Sequence, residues 1–129
     1  MPVTRIEGRR TRTSDETRAL MDAVYAAQRE ALQLPEWDRQ IRYTKYHPDF
    51  FQVIPGKSEN YVLVEISLFS GRSLNTKKTL YQNIVQRLGR LGIVETDITI
   101  ILYEVSAENW GIHGGIPASE IDLGFNVNI

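Results

Sequence analysis

Apolar and polar positions alternate most clearly in "YVLVEISLF" (61–69), where Val62, Val64, Ile66 and Leu68 share one side of an extended chain. Leu63, Ser67 and Phe69 fall on the other side. A period of two over nine β-prone residues predicts a strand. "DITIILYEV" (97–105) and "QIRYTKY" (40–46) are rich in β-formers and predict two more, and Val3–Ile6 a short fourth. Two stretches change to helical spacing. Leu20, Met21, Val24, Ala27, Gln28, Ala31 and Leu32 line one face of a first helix, with Gln28 as a polar interruption. Thr13 followed by Glu16 fits a capping box at its start, and Pro35 ends it. Leu80, Tyr81, Ile84, Val85, Leu88 and Leu91 form the stripe of a second helix, with Ser73 as N-cap and Gly92 as stop. Residues 47–60 read as a loop with an extended piece at 51–54. The glycine-rich tail is expected to end in a short strand at Phe125–Ile129.

The order is β-α-β followed by β-α-β. "RIEGRR" (5–10) and "LFSGRS" (68–73) each place Gly-Arg where a strand turns into a helix, 63 residues apart. This shared position points to an internal duplication, with repeats at about 2–47 and 60–106, a tail at 107–129, and one domain over 1–129. Each β-α-β unit is expected to be right-handed with parallel strands. The fold class is therefore α+β: a four-stranded mixed sheet with two helices on one face. The other face has no helices of its own and needs cover, for which a subunit partner is the obvious candidate.

Composition narrows the chemistry. The 129-residue chain is 42% hydrophobic and 24% charged, ordinary for a globular domain. A net charge of −1 suggests neither nucleic acid nor an anionic membrane as partner. With no cysteine there is no disulfide, thiolate metal site or cysteine nucleophile. No run reaches transmembrane length and the start lacks a signal peptide's apolar core, so a cytoplasmic location is expected. His47 and His113 are too few for a histidine metal site; no metal and no cofactor is expected.

Pro2 admits two readings. Proline is tolerated at the first position of a strand. Alternatively, a small second residue permits removal of Met1, and Pro2 then carries a secondary amine that titrates near neutrality. Asp38 and Arg39 in "LPEWDRQ" are loop charges, solvated unless a site claims them. Arg72 stands where a cation is disfavoured by the helix end but an anion ligand would be welcome. Arg5, Arg9, Arg12 and Arg42 are expected to be solvated, Trp110 suits packing or a pocket wall, and His113 lies in a loop.

Pro2 in "MPV", Asp38 in "LPEWDR", Arg72 in "FSGRS" and Trp110 in "ENWGIHGG", in this order on a duplicated frame, resemble the tautomerase superfamily, whose enzymes use an amino-terminal proline. The malonate semialdehyde decarboxylase-like branch is the most similar. The resemblance implies catalytic roles for Pro2, Asp38 and Arg72, and substrate contacts from Arg72, Trp110 and Ile112. Ile112 stands where that pattern has a phenylalanine. Ser70 stands where it has a first arginine, and Gly71 where it has a proline. The resemblance also implies a homotrimer. The leading expectation is a cofactor-independent keto–enol tautomerase of a small 2-oxo acid or enol, with Pro2 as general base after Met1 removal. One alternative is a decarboxylase of a 3-oxo acid such as malonate semialdehyde. Another is a non-catalytic binding member of the fold. At the 63-residue offset Pro2 falls on Glu65, which has no free amine, so one site per chain is expected.

Overall fold

The computed structural model describes residues 2–129; the expected removal of Met1 lies outside the described residues. Strands β1 (Val3–Gly8), β2 (Ile41–Lys45), β3 (Val62–Phe69) and β4 (Ile98–Val105) form one sheet in the order β2-β1-β3-β4. β1 runs parallel to β2, β3 runs parallel to β4, and the two central strands β1 and β3 are antiparallel. Helices α1 (Ser14–Leu32) and α2 (Leu74–Gly89) are the crossovers. The sheet is mixed and both helices pack on one face, as the alternation and periodicity predict.

The core lies between that face and the helices. Ile6, Val62, Val64, Ile66 and Leu68 from the sheet meet Leu20, Val24, Leu32, Leu80, Ile84 and Leu88 from the helices, all essentially inaccessible to solvent. Gln28, the polar interruption on α1, is buried here and donates through Nε2 to Thr4 Oγ1 at 2.6 Å, which removes the cost of an unsatisfied amide. The capping box forms: Glu16 N–H donates to Thr13 Oγ1, and Thr13 N–H to Glu16 Oε1. Such a cap contributes about 1 kcal/mol. α1 stops at Gln33 in the left-handed conformation, just ahead of Pro35. Ser73 caps α2 through Thr76 N–H.

The extended piece read at 51–54 stays in the loop and joins no sheet. A 3₁₀ turn at Pro48–Phe50 precedes them, and Phe51 is anchored by ring contacts to Tyr46 and Tyr61 and by Arg9 on its carbonyl. Two expectations change. Phe125–Ile129 is not a strand. Asp122 and Asn126 side chains accept from Gly124 and Asn128 N–H, so these donors are used locally instead of in a ladder. The segment docks on α2 instead, where Ile129 O accepts from Ser73 N–H and Thr76 Oγ1. The only ladder in the tail pairs β5 (Gly111–Ile112) with β6 (Ile116–Pro117).

The second change concerns the repeat offset. The N-caps Thr13 and Ser73 align at 60 residues, and this offset sets buried Ile6 on buried Ile66. An offset of 63 is odd and would put matched residues on opposite sheet faces. The Gly-Arg match misleads because Gly71 stands two residues before its cap and Gly8 five. At the true offset Pro2 falls on Val62, not Glu65, and Val62 likewise has no free amine. Among the described residues no helix is long and apolar enough to cross a membrane.

Candidate active site

The topology brings the sequence's candidate residues to one end of the sheet. β1 and β2 begin there, and β3 and β4 end there. Residues just before the first pair and just after the second are therefore neighbours. Pro2 is buried immediately ahead of central β1, whose Val3 opposes Ser67 and whose Thr4 opposes Ile41. Thr4 N–H donates to Gln40 O at 3.0 Å, tying the start of β1 to the segment that carries Asp38.

That segment is held on several sides. Tyr25 on α1 donates its hydroxyl to Glu36 O at 2.7 Å. Arg39, half-exposed, pairs with Asp22 of the same helix and lies 4.8 Å over the Tyr25 ring. Asp38 N–H donates to Pro35 O at 3.1 Å. The turn so fixed directs Asp38 inward, leaving it 4% exposed, while its neighbour Trp37 stands 72% exposed.

Arg72 is also buried, at 6% exposure. The connection from β3 to α2 is only Ser70–Ser73, and Gly71 takes φ 137°, a left-handed region that a side chain disfavours. The turn directs the Arg72 guanidinium back under the sheet's end, where one terminal nitrogen donates to Phe69 O at 3.1 Å. Its Nε is buried without a hydrogen-bond partner among the described residues. Burial pushes the Arg72 pKa down, while the charges of Asp38 and Glu104 pull it up. Asp38 and Arg72 thus lie near enough for their charges to act on each other, although 34 positions apart in the chain.

An aromatic wall closes the same end. Phe69 at the tip of β3 meets Trp110 at a ring distance of 4.7 Å and Phe125 at 6.3 Å. Each such pair contributes about 0.5–1.5 kcal/mol beyond area burial. Trp110 donates its indole N–H to Val105 O at 3.2 Å, so it is fixed to the end of β4. Phe125 lies with its ring centre 5.9 Å from the Arg72 guanidinium carbon. Beyond it opens a cleft of about 330 Å³, bordered by Trp37, Ile112, His113, Ile121, Leu123 and Phe125. Ile112 lines this cleft, whereas Trp110 belongs to the wall behind it. His113, placed in a loop by the sequence, occupies the β5–β6 turn at φ 49° and reaches the cleft.

Phe125 is the residue that the sequence reading missed at this end. It follows Gly124, which takes φ 76°, a conformation that favours glycine. Among the described residues no group of three or more His, Asp or Glu is placed to hold a metal ion.

The family model described as "Tautomerase enzyme" matches residues 38–113, a stretch that opens on Asp38 and spans Arg72, Trp110 and Ile112. This chain belongs to that tautomerase family. It is an enzyme of the tautomerase superfamily, on the malonate semialdehyde decarboxylase-like branch. "Probable tautomerase YusQ" of Bacillus subtilis (strain 168) is 25% identical over 121 residues, 89% of this chain and 95% of the relative. Among solved structures, FG41 malonate semialdehyde decarboxylase inhibited by 3-bromopropiolate aligns with a TM-score of 0.83 at 25% identity, over 94% of this chain and 98% of that one. Native fused 4-OT aligns with a TM-score of 0.83 at 13% identity, over 95% and 98%, a likeness of fold. Catalysis of the tautomerase or decarboxylase type follows for this chain, and the non-catalytic alternative is set aside.

Proposed function

We propose that this tautomerase interconverts the keto and enol forms of a small 2-oxo acid in the cytoplasm, with Pro2 as general base once Met1 is removed. The observation that carries the reading is the convergence of buried Pro2, Asp38 and Arg72 at one end of the sheet. A free α-amino group titrates at about 7.7–8.0, and desolvation together with the Arg72 charge favours its neutral form. Neutral Pro2 takes the enol proton and, as the ammonium, returns a proton to the α-carbon. Arg72 faces the developing enolate or the substrate carboxylate, and its partnerless Nε is a donor in reserve. Asp38 balances the Arg72 charge. Phe125 stands between that charge and the cleft. Ile112 and the wall built on Trp110 exclude water.

Enol ketonisation followed by ultraviolet absorbance tests this. Pro2→Ala is expected to lower kcat/KM at least tenfold, about 1.4 kcal/mol of barrier. Unchanged activity, or a natural protein whose mass retains Met1, sinks proline chemistry.

Decarboxylation of a 3-oxo acid is the second reading, favoured by the decarboxylase among the similar structures and by the burial of Asp38 beside Arg72. It calls for a protonated Pro2 that polarises the carbonyl, or for a Schiff base between Pro2 and the carbonyl carbon. Nitrogen NMR separates the two: a Pro2 pKa below about 7.7 marks a base and one above it an acid. Carbon dioxide release from 3-oxo acids is the direct assay.

We further propose a homotrimer. The helix-free face leaves Ile101 and Tyr103 exposed at 37% and 45%, and solved relatives of this fold are described as trimers. Light scattering at micromolar concentration is expected to give about three times the 14.8 kDa chain mass. A stable, fully active monomer overturns it.

A further inference from the structure

The opposite end of the sheet, where β1 and β2 finish and β3 and β4 start, carries a second basic centre. At the 60-residue offset, Arg12 occupies in the first β-α-β unit the place of Arg72 in the second. Each directly precedes its helix N-cap. Asp97 takes the place of Asp38 at an offset of 59, the one at which the second strands of the two units align, Ile41 with Ile100. Both aspartates are buried, both lead toward the second strand of their unit, and both donate N–H to the carbonyl three residues earlier. Arg10 corresponds to Ser70. The second centre therefore has two arginines, Arg10 and Arg12 around Thr11, where the first has one.

The two centres differ in what their groups touch. Asp97 is taken up by Ser58, whose N–H and hydroxyl both donate to its carboxylate. Arg10 donates to Asn60 Oδ1 at 2.9 Å, and Arg12 to the Tyr43 hydroxyl at 3.0 Å and Asn60 O at 3.5 Å. These partners are all neutral, and neither arginine forms an ion pair among the described residues. Glu16 is close enough to feel both charges, but its carboxylate is turned to the Thr13 N–H of the capping box. The two carboxylates of this centre, Asp97 and Glu16, are thus bound by neutral donors, and neither is ion-paired with Arg10 or Arg12 among the described residues.

Arg10, Arg12 and Glu16 border a cavity of about 110 Å³ whose floor includes Leu20, Leu91 and Ile93, and the Glu16 carboxylate there is occupied by the Thr13 N–H. Water takes about 30 Å³ per molecule in the liquid, so the space suits a few heavy atoms and excludes a nucleotide. Forked cations above an apolar floor match a carboxylate on a short hydrocarbon chain. We propose that this cavity is a second, non-catalytic binding site for a short-chain monocarboxylate, held by Arg10 and Arg12 over Leu20, Leu91 and Ile93. It is non-catalytic because the position equivalent to Pro2 is Val62, an in-chain residue with no amine. The site stands independently of the reaction assigned to Pro2.

Butyrate is the probe, titrated into the full chain and followed by proton–nitrogen NMR. The Arg10 and Arg12 Nε–H signals and the Leu20 and Ile93 amides are expected to shift saturably with a millimolar dissociation constant. Signals of Ile112 and Phe125 report separately on the first centre. R10Q/R12Q is expected to weaken the Leu20 and Ile93 response at least tenfold and to leave the Ile112 response unchanged. Should that double variant fail to fold, R10Q, which loses only the Asn60 side-chain contact, is expected to weaken binding at least threefold. Butylammonium, with the same chain and the opposite charge, is expected to give no response. Non-saturating shifts, equal shifts in the arginine variants, or an equal response to butylammonium each overturn the proposal.

Discussion

A guanidinium at 6% exposure with one hydrogen bond to a main-chain carbonyl is costly to bury, and neighbouring carboxylates offset that cost. Asp38 and Glu104 supply them for Arg72, and Glu104 is itself shared with Lys77 on α2. Asp38 then answers to Arg72 as much as to any substrate, and the pair is best tested from the arginine side. Lysine keeps the charge but loses the planar fork that grips a carboxylate through two bonds. Arg72→Lys is therefore expected to lower kcat/KM for a 2-oxo acid about tenfold, ~1.4 kcal/mol, mostly through KM. Steady-state kinetics with a melting curve on the same sample checks this. A variant that melts normally and keeps wild-type KM removes Arg72 from substrate binding. Of the arginines that the sequence left to solvent, Arg42 is exposed as expected, and Arg5, Arg9 and Arg12 are engaged by the chain. Arg5 pairs with Glu65, and Arg9, Arg10 and Arg12 tie the 51–60 loop to β1 and α1.

At the scale of elements, the tail is what turns the end of the sheet into a site. Phe125 packs on Phe69 and over Arg72, and Ile129 O meets the first turn of α2. Gly71 is where this docking is tightest. A Cβ there would come within 2.8 Å of Val127 O and 2.9 Å of Asn128 Oδ1, and φ 137° is itself strained for alanine. Gly71→Ala is expected to cost about 1–3 kcal/mol and to push residues 125–129 off α2, uncovering Arg72. Melting temperature and faster amide exchange at Ser73 and Thr76 are the readouts; unchanged protection at both would show that the tail does not depend on Gly71. The strands and helices were legible in the sequence because their signals are local: alternation in 61–69, a capping box at 13–16, a proline at 35. The docked tail was not, because Phe125 meets partners 53 and 56 positions away, and "GFNVNI" alternates like a strand while Asp122 and Asn126 claim its backbone donors. Asp38 and Arg72 were legible only through the resemblance; by local chemistry alone both were surface charges. The 60-residue offset, and with it the match of Arg12 to Arg72, became visible only when the caps replaced Gly-Arg as the reference points.

For the whole molecule, the helix-free face is held by one carboxylate at its centre. Glu65 on β3 accepts from Arg5 of β1 and from the Tyr103 hydroxyl of β4, both at 2.8 Å, so a single side chain links three strands. Arg5 and Glu65 face each other directly in the register and correspond to one another at the 60-residue offset, which puts this pair on the local axis relating the two β-α-β units. The Tyr103 hydrogen bond is the main cause that holds the Glu65 carboxyl below the usual glutamate range; burial opposes it, and Arg5 adds to it. The sign of the pH effect follows. A carboxyl whose pKa is lower folded than unfolded contributes stability that is fully present above the unfolded value of about 4.3 and is lost as pH falls through the folded value. Glu16, Glu30 and Asp97 are depressed in the same direction, so acid weakens the molecule at several places and Glu65 supplies only a share. Glu65→Gln isolates that share: the amide can still accept from Arg5 and Tyr103 but cannot be protonated in this range. At pH 7 the variant is expected to melt below the wild type. Below about pH 4.3 the gap is expected to narrow, because protonation removes from the wild type the same charge that the substitution removed. Melting curves of the two proteins between pH 7 and pH 3 decide it. A gap that stays constant across this range would mean that Glu65 stabilises the sheet by packing and neutral hydrogen bonds, and that its charge does not hold the three strands together.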